Sequence, residues 1–132
     1  MIHNHWIQQK TAPFSIRARL RSFAYAWNGI IQFFKKEHNA QLHLASTVLV
    51  VGLALALKVS SADAILLAFS VGFVWVTEMI NTAIEKAMDF ISVEQNSQIK
   101  LVKDIAAGAV LIACITASIT GSFIFIPKLL ML

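Results

Sequence analysis

The chain has 132 residues, of which 58% are hydrophobic and 14% are charged, and its mean hydropathy is +0.70. Soluble domains carry about 25% charged residues, so this composition excludes a water-soluble globular protein and predicts an integral membrane protein. The length allows several membrane helices with short flanks, but no additional soluble catalytic domain. Residues 1–132 are therefore interpreted as a single domain whose chemistry resides on its membrane helices.

A basic amphipathic segment comes first. Between residues 14 and 36, apolar side chains recur at helical spacing, and arginine, lysine and amide side chains lie between them. The pattern predicts a helix on an anionic membrane surface; a helix packed against other spans is the alternative. The preceding residues lack the pattern of a secretory signal, so no cleavage is expected.

Three long apolar segments follow, and each is long enough to cross a bilayer. After a tight turn, the segment with Ser60, Ser61 and Asp63 supplies an N-cap and a first-turn acid for the second helix. Pro127 is expected to end the third. The fold class is thus an all-α membrane protein with an N-terminal surface helix and three transmembrane helices. The predicted spans are residues 42–58, 64–91 and 103–126.

Helix association is predicted by small residues in the third span. They recur every fourth position and form a ridge that permits close helix packing: Ala109, Ala113, Ala117 and Gly121. Three short spans cannot enclose several ionisable side chains, so we expect a homo-oligomer.

Basic residues predict the orientation in the membrane. Nine of the 11 lysines and arginines fall on the side of the N-terminus and of the loop between the second and third spans, and two, Lys58 and Lys128, fall on the other side. This strong positive-inside bias places the N-terminus in the cytoplasm, where ATP is available.

Acidic side chains form a stripe on the second span. They lie within about 80° of one another around a helix with 100° per residue: Glu78, Asn81, Glu85 and Asp89. A carboxylate in hydrocarbon costs a few kcal/mol on insertion scales, so such a stripe needs partners or a purpose. A solvated helix end would explain Asp89, but it does not explain Glu78, which lies about three turns away.

Carboxylates at two depths can perform two tasks. The cytoplasmic one can hold a hard cation such as Mg²⁺ together with phosphate oxygens, and the deeper one can act as a general base. Glu37, between the amphipathic helix and the first span, could reach the same cation. Lys103 and Asp104 offer a cation for phosphate and a further acceptor.

Other nucleotide and metal motifs are missing from the sequence. The five glycines are isolated, so no phosphate-binding loop is present. The four histidines, which include His38 and His43, lack zinc-like spacing to acids and are interpreted as non-metal residues. Cys114 is interpreted as a small hydrophobe. Nothing in the sequence predicts a nucleic-acid partner.

Two segments resemble a known family. Residues 78–89 (EMINTAIEKAMD) and 103–113 (KDIAAGAVLIA) are similar to signatures of the small prokaryotic integral-membrane lipid kinases, the diacylglycerol kinase and undecaprenol kinase family. Residues 22–29 and the Glu37-His38-Asn39 motif support the resemblance, which extends over nearly the whole chain from about Phe14.

The resemblance implies a homotrimer in the bacterial cytoplasmic (inner) membrane that transfers the γ-phosphate of ATP, with Mg²⁺, to a lipid alcohol. It implies Glu78 as the general base, Glu37 and Glu85 as metal ligands, and Asn81 as a polar active-site residue. The nucleotide contacts implied by the resemblance, in addition to Glu37 and Glu85, are Tyr25, Glu94, Lys103 and Asp104.

Two positions depart from the family pattern, and the acceptor stays open. Gln41 replaces a residue that is often basic, and neither Arg17 nor Arg19 aligns cleanly with the nucleotide-contacting arginine. The Asn81-Thr82-Ala83 sequence and the ending at residues 126–128 resemble the undecaprenol kinase branch more than the diacylglycerol kinase branch. A non-enzymatic membrane assembly protein, with acids lining an oligomer interface, is the alternative function.

Overall fold

The computed structural model describes residues 15–92 and 96–131, and within these ranges the regular structure consists of four α-helices. They are α1 (Ile16–Lys36), α2 (His38–Ala56), α3 (Ser61–Ile91) and α4 (Ser97–Leu129). The last three are long and apolar enough to cross a membrane. The predicted all-α fold with three membrane helices is confirmed.

The described residues fall into two compact units, divided between Gln32 and Phe33. In the first unit, α1 exposes large apolar side chains, among them Ile16, Leu20 and Phe23. An amphipathic helix with an uncovered apolar face is suited to a membrane surface, although its position on that surface stays a prediction.

The turn between α2 and α3 is set by local chemistry. Lys58 has φ 47°, in the left-handed region, and the chain reverses there. Ser60 then caps α3: its Oγ accepts from the Asp63 N–H at 3.1 Å, and Asp63 Oδ2 accepts from the Ser60 N–H at 3.3 Å. This reciprocal capping box confirms the predicted start signal and makes α2 and α3 antiparallel neighbours.

Helix α4 is longer than the sequence predicts at both ends. It begins at Ser97 because Asn96 Oδ1 accepts from the N–H groups of Gln98 and Ile99, at 2.8 and 3.4 Å. The expectation that Pro127 ends it is wrong: helical bonding continues past the proline, and the Leu130 N–H donates to the Ile126 carbonyl at 3.1 Å. Pro127 has no N–H to donate to the carbonyl four residues earlier, but it lies in the last turn, where few helical bonds remain to be made.

The apolar core lies near the α2–α3 turn. Leu67 of α3 packs with Ile124 and Phe125 of α4, and partly buried residues of α2, including Leu53 and Leu57, complete the cluster. This core holds the ends of the three helices together on the side away from the acidic stripe.

The small-residue ridge of α4 is partly used inside the chain. Ala113 is fully buried, Ala117 and Gly121 are half-buried, and Ala109 is exposed. The ridge therefore permits close packing of α4 within this chain, mainly along α3.

Candidate active site

The acidic stripe of α3 runs from a buried to an exposed environment. Glu78 and Asn81 are buried, with 2% and 5% of their surfaces exposed, Glu85 is half-buried, and Asp89 is exposed. Glu78 lies 17 residues after Ser61, or about 26 Å along the helix. If α3 enters a bilayer core about 30 Å thick at Ser61, Glu78 falls near the opposite boundary of that core, and Glu85 and Asp89 lie beyond it.

Glu78 faces α2 through a histidine. His43 Nε2 lies 4.0 Å from Glu78 Oε2, within ion-pair distance, and the histidine side chain is 21% exposed. A carboxylate at this depth is costly unless it is paired or protonated. His43 is thus the residue of α2 that can pair with the Glu78 carboxylate.

Asn81 joins the middle of the stripe to its outer part. Its Nδ2 donates to Glu85 Oε1 at 3.1 Å. Its Oδ1 is buried and has no hydrogen-bond partner in the described part of the chain. An unpaired buried acceptor costs about 1–3 kcal/mol, so this oxygen is available to a donor that enters the site.

Lysines neutralise the remaining acids. Lys86 Nζ lies 2.7 Å from Glu37 Oε1, and Lys103 Nζ lies 2.7 Å from Asp89 Oδ1. Both ammonium groups also interact electrostatically with Glu85. The start of α2, the end of α3 and the first turns of α4 thus bring carboxylates close to the same lysine ammonium groups.

The inner part of the stripe lines a cleft of about 400 Å³ between α2, α3 and α4. Its polar lining includes Asn39, His43, Glu78, Asn81 and Glu85, with Cys114 of α4 opposite. The deeper carboxylate, the amide and the outer carboxylate therefore share one cavity, as a site for two reacting groups requires.

Comparisons with known proteins identify the family of the chain. A profile of the prokaryotic diacylglycerol kinase family matches residues 24–125. The chain is 36% identical to a diacylglycerol kinase of Synechocystis over 86% of its own length and 65% of that protein's length. It is 33% identical to the undecaprenol kinase of Bacillus subtilis over 83% of this chain and 89% of that one. It is also 33% identical to the diacylglycerol kinase of Escherichia coli K12, over 76% of this chain and 83% of that protein.

The chain belongs to the prokaryotic diacylglycerol kinase family. Family membership confirms the resemblance and the kinase class that the resemblance implied, and it favours a kinase over an assembly protein. It also agrees with a multi-pass membrane protein.

Not all predicted site residues are brought together. Tyr25 lies on α1 in the first unit and is exposed. Glu94 lies outside the described residues. Lys103 and Asp104 lie about two turns inside α4 and not at its start; Lys103 contacts Asp89, whereas Asp104 is exposed and pairs with Lys100 on its own helix.

Sequence reasoning missed His43 as a partner of the acidic stripe. The available signal was the tight turn: in an antiparallel helix pair, residues at similar distances from the turn face each other. The contacts of Thr47 with Trp75 and of Lys86 with Glu37 follow the same register. Spacing along one helix could not reveal a pair that forms between two helices.

The acids fit a magnesium ion that is bound jointly with phosphate. Within the described ranges, no group of three or more histidine, cysteine, aspartate or glutamate side chains is arranged to hold a metal ion. Mg²⁺, however, is usually held by one or two carboxylates with phosphate oxygens and water. Glu37 and Glu85 are carboxylates that interact with the same ammonium group, that of Lys86, so they suit a shared cation.

Proposed function

We propose that the protein is an ATP-dependent lipid kinase that transfers the γ-phosphoryl group of ATP to the hydroxyl of a membrane lipid, diacylglycerol or undecaprenol. The observation that carries the proposal is the buried Glu78, which lines a polar cleft about 26 Å along α3 from the first residue of the helix. A lipid hydroxyl reaches this depth, and a nucleotide phosphate can approach it from the aqueous side.

In the proposed reaction, Glu78 acts as the general base. The lipid hydroxyl oxygen forms a bond to the γ-phosphorus as the bond to the bridging oxygen of ADP breaks, and Glu78 accepts the hydroxyl proton. ADP leaves with the bridging oxygen. The fold contributes mainly by positioning two substrates that come from different phases.

Glu37 and Glu85 would hold Mg²⁺ with the phosphates of ATP. When bound, the ion neutralises phosphate charge. Asn81 supports this role because its amide orients the Glu85 carboxylate. Glu37 is the N-cap residue of α2, but its side chain makes no capping hydrogen bond; it pairs instead with the Lys86 ammonium, a cation that Mg²⁺ would replace.

Lys103 is the proposed phosphate contact on α4. Its ammonium pairs with the exposed Asp89, and surface pairs of this kind contribute little stability, so exchange of the carboxylate for a phosphate costs little. Contacts of Asp104, Tyr25 and Glu94 with the nucleotide are proposed from the resemblance.

Either acceptor is consistent with the named relatives, which include two diacylglycerol kinases and one undecaprenol kinase. Phosphorylation of diacylglycerol would return it to phospholipid synthesis, and phosphorylation of undecaprenol would regenerate a lipid carrier. The excess of basic residues on the N-terminal side supports an orientation with the N-terminus in the cytoplasm, in the inner membrane of a bacterium. We further propose a homotrimer.

The decisive experiment is a phosphate-transfer assay with purified protein in lipid. Given Mg²⁺ and γ-labelled ATP, the wild type is expected to label diacylglycerol or undecaprenol when the two are offered side by side. Glu78→Gln keeps the shape of the side chain but removes the base, and should lower kcat by at least about 10²-fold.

Asp63→Asn is the matched control, because it removes one carboxylate from the opposite end of α3. It should retain wild-type kcat. Robust transfer by Glu78→Gln would exclude Glu78 as the base, and absence of transfer to both lipid alcohols would refute the proposed activity.

A further inference from the structure

His43 stands where two cavities meet. One is the polar cleft that contains Glu78. The other is a groove of about 490 Å³ between α2, α3 and α4, lined mostly by apolar residues such as Leu53, Val74 and Phe125. His43 and Cys114 line both cavities.

The His43 ring packs against Trp75, which is itself fixed by a hydrogen bond to Thr47. The Trp75 ring packs edge-on against it, with centroids 6.1 Å apart. Trp75 Nε1 donates to Thr47 Oγ1 at 3.1 Å, and Thr47 Oγ1 donates to the His43 carbonyl at 2.7 Å. Trp75 also packs on Phe34, with centroids 4.8 Å apart.

Glu78 needs such a partner. Among the residues that the structure describes, His43 is the one cation-forming side chain within ion-pair distance of Glu78. The lysines near the stripe contact other acids, at Glu37 and Asp89. Without His43, the Glu78 carboxylate would be buried with no group to fix its orientation.

We propose that His43 is a positioning residue for Glu78: its Nε2 holds the carboxylate at the mouth of the apolar groove, so that a lipid hydroxyl arriving along the groove meets an oriented base. This inference rests on the proposed lipid-kinase activity. A gap of 4.0 Å in the free site is compatible with it, because such contacts often tighten when substrates bind.

The test compares two substitutions of similar size. His43→Leu keeps the volume and suits the membrane environment, but removes the ring nitrogen. It should lower kcat about 10- to 100-fold, as loss of an orienting partner does at other sites, while KM for ATP changes by less than about 2-fold. His43→Gln offers an amide N–H at a similar reach and should recover most of the lost kcat.

His38→Leu is the control, since His38 is an exposed histidine at the start of the same helix. It should behave as the wild type. If the wild type transfers phosphate and His43→Leu keeps kcat within about 2-fold, the inference is wrong. It is equally wrong if the Gln variant is no more active than the Leu variant, because His43 would then only fill space. An inactive wild type would instead refute the proposed function.

Discussion

At the scale of residues, the site is defined by polar groups with incomplete pairing. Glu78 lies 4.0 Å from His43, and Asn81 has a buried oxygen with no hydrogen-bond partner among the described residues. Each arrangement costs folding free energy. Incomplete pairing at a functional site is expected where substrates supply the missing partners.

Asn81 permits a sharp test of the magnesium proposal. Asn81→Leu removes the amide that donates to Glu85 Oε1, so the Glu85 carboxylate loses its orientation. We expect the Mg²⁺ concentration for half-maximal rate to rise about 10-fold with little change in KM for the lipid. The free energy of unfolding should not fall, because the unpaired oxygen is removed as well. The measurement is a Mg²⁺ titration of the transfer rate.

Thr77→Val is the control for Asn81, one turn earlier on α3. The Thr77 hydroxyl donates to carbonyls of its own helix, so its loss should leave the Mg²⁺ dependence unchanged. An unchanged dependence in Asn81→Leu would contradict a metal-binding role for Glu85 that depends on Asn81.

At the scale of elements, the hairpin of α2 and α3 determines which side chains meet. Its turn is tight, and the capping box at Ser60 begins α3 at a defined residue. From there the antiparallel register places Thr47 beside Trp75 and His43 beside Glu78. The turn and the site lie about 26 Å apart along α3, so the turn acts on the site only through this register.

Loss of the cap should therefore lower stability and spare the chemistry. Ser60→Ala removes the acceptor for the Asp63 N–H and is expected to cost about 1 kcal/mol of unfolding free energy, with kcat unchanged. Ser61→Ala, at the first helical position, is the comparison and should cost nothing. Reversible unfolding in detergent micelles measures both variants; equal losses would show that the Ser60 cap contributes no specific stability.

At the scale of the whole molecule, the membrane helices leave much of their apolar surface uncovered by the chain itself. In the most apolar window of α2, 6% of the residues are buried, and in those of α3 and α4 17% are buried. Lipid tails or neighbouring copies must cover the rest, because apolar helix faces are not stable in water.

The expected assembly is a homotrimer. Native mass spectrometry of protein released from micelles should give three chains per particle, and dilution that dissociates the particle should abolish phosphate transfer, since an open cleft no longer excludes water. A fully active monomer would contradict both the proposed trimer and the dependence of phosphate transfer on it.

The sequence by itself determined the membrane class, the three spans and the acidic stripe of α3, because composition and helical periodicity are local properties. It also predicted an N-cap and a first-turn acid at the start of α3, because such signals depend on neighbouring residues. It misjudged both ends of α4. The helix starts earlier because Asn96 is a stronger start signal than the onset of the apolar run, and it continues past Pro127. Only the tertiary structure decided the pairs of His43 with Glu78 and of Lys86 with Glu37. Those pairs depend on the antiparallel register of α2 and α3, which arises from the geometry of one turn and not from the spacing on either helix.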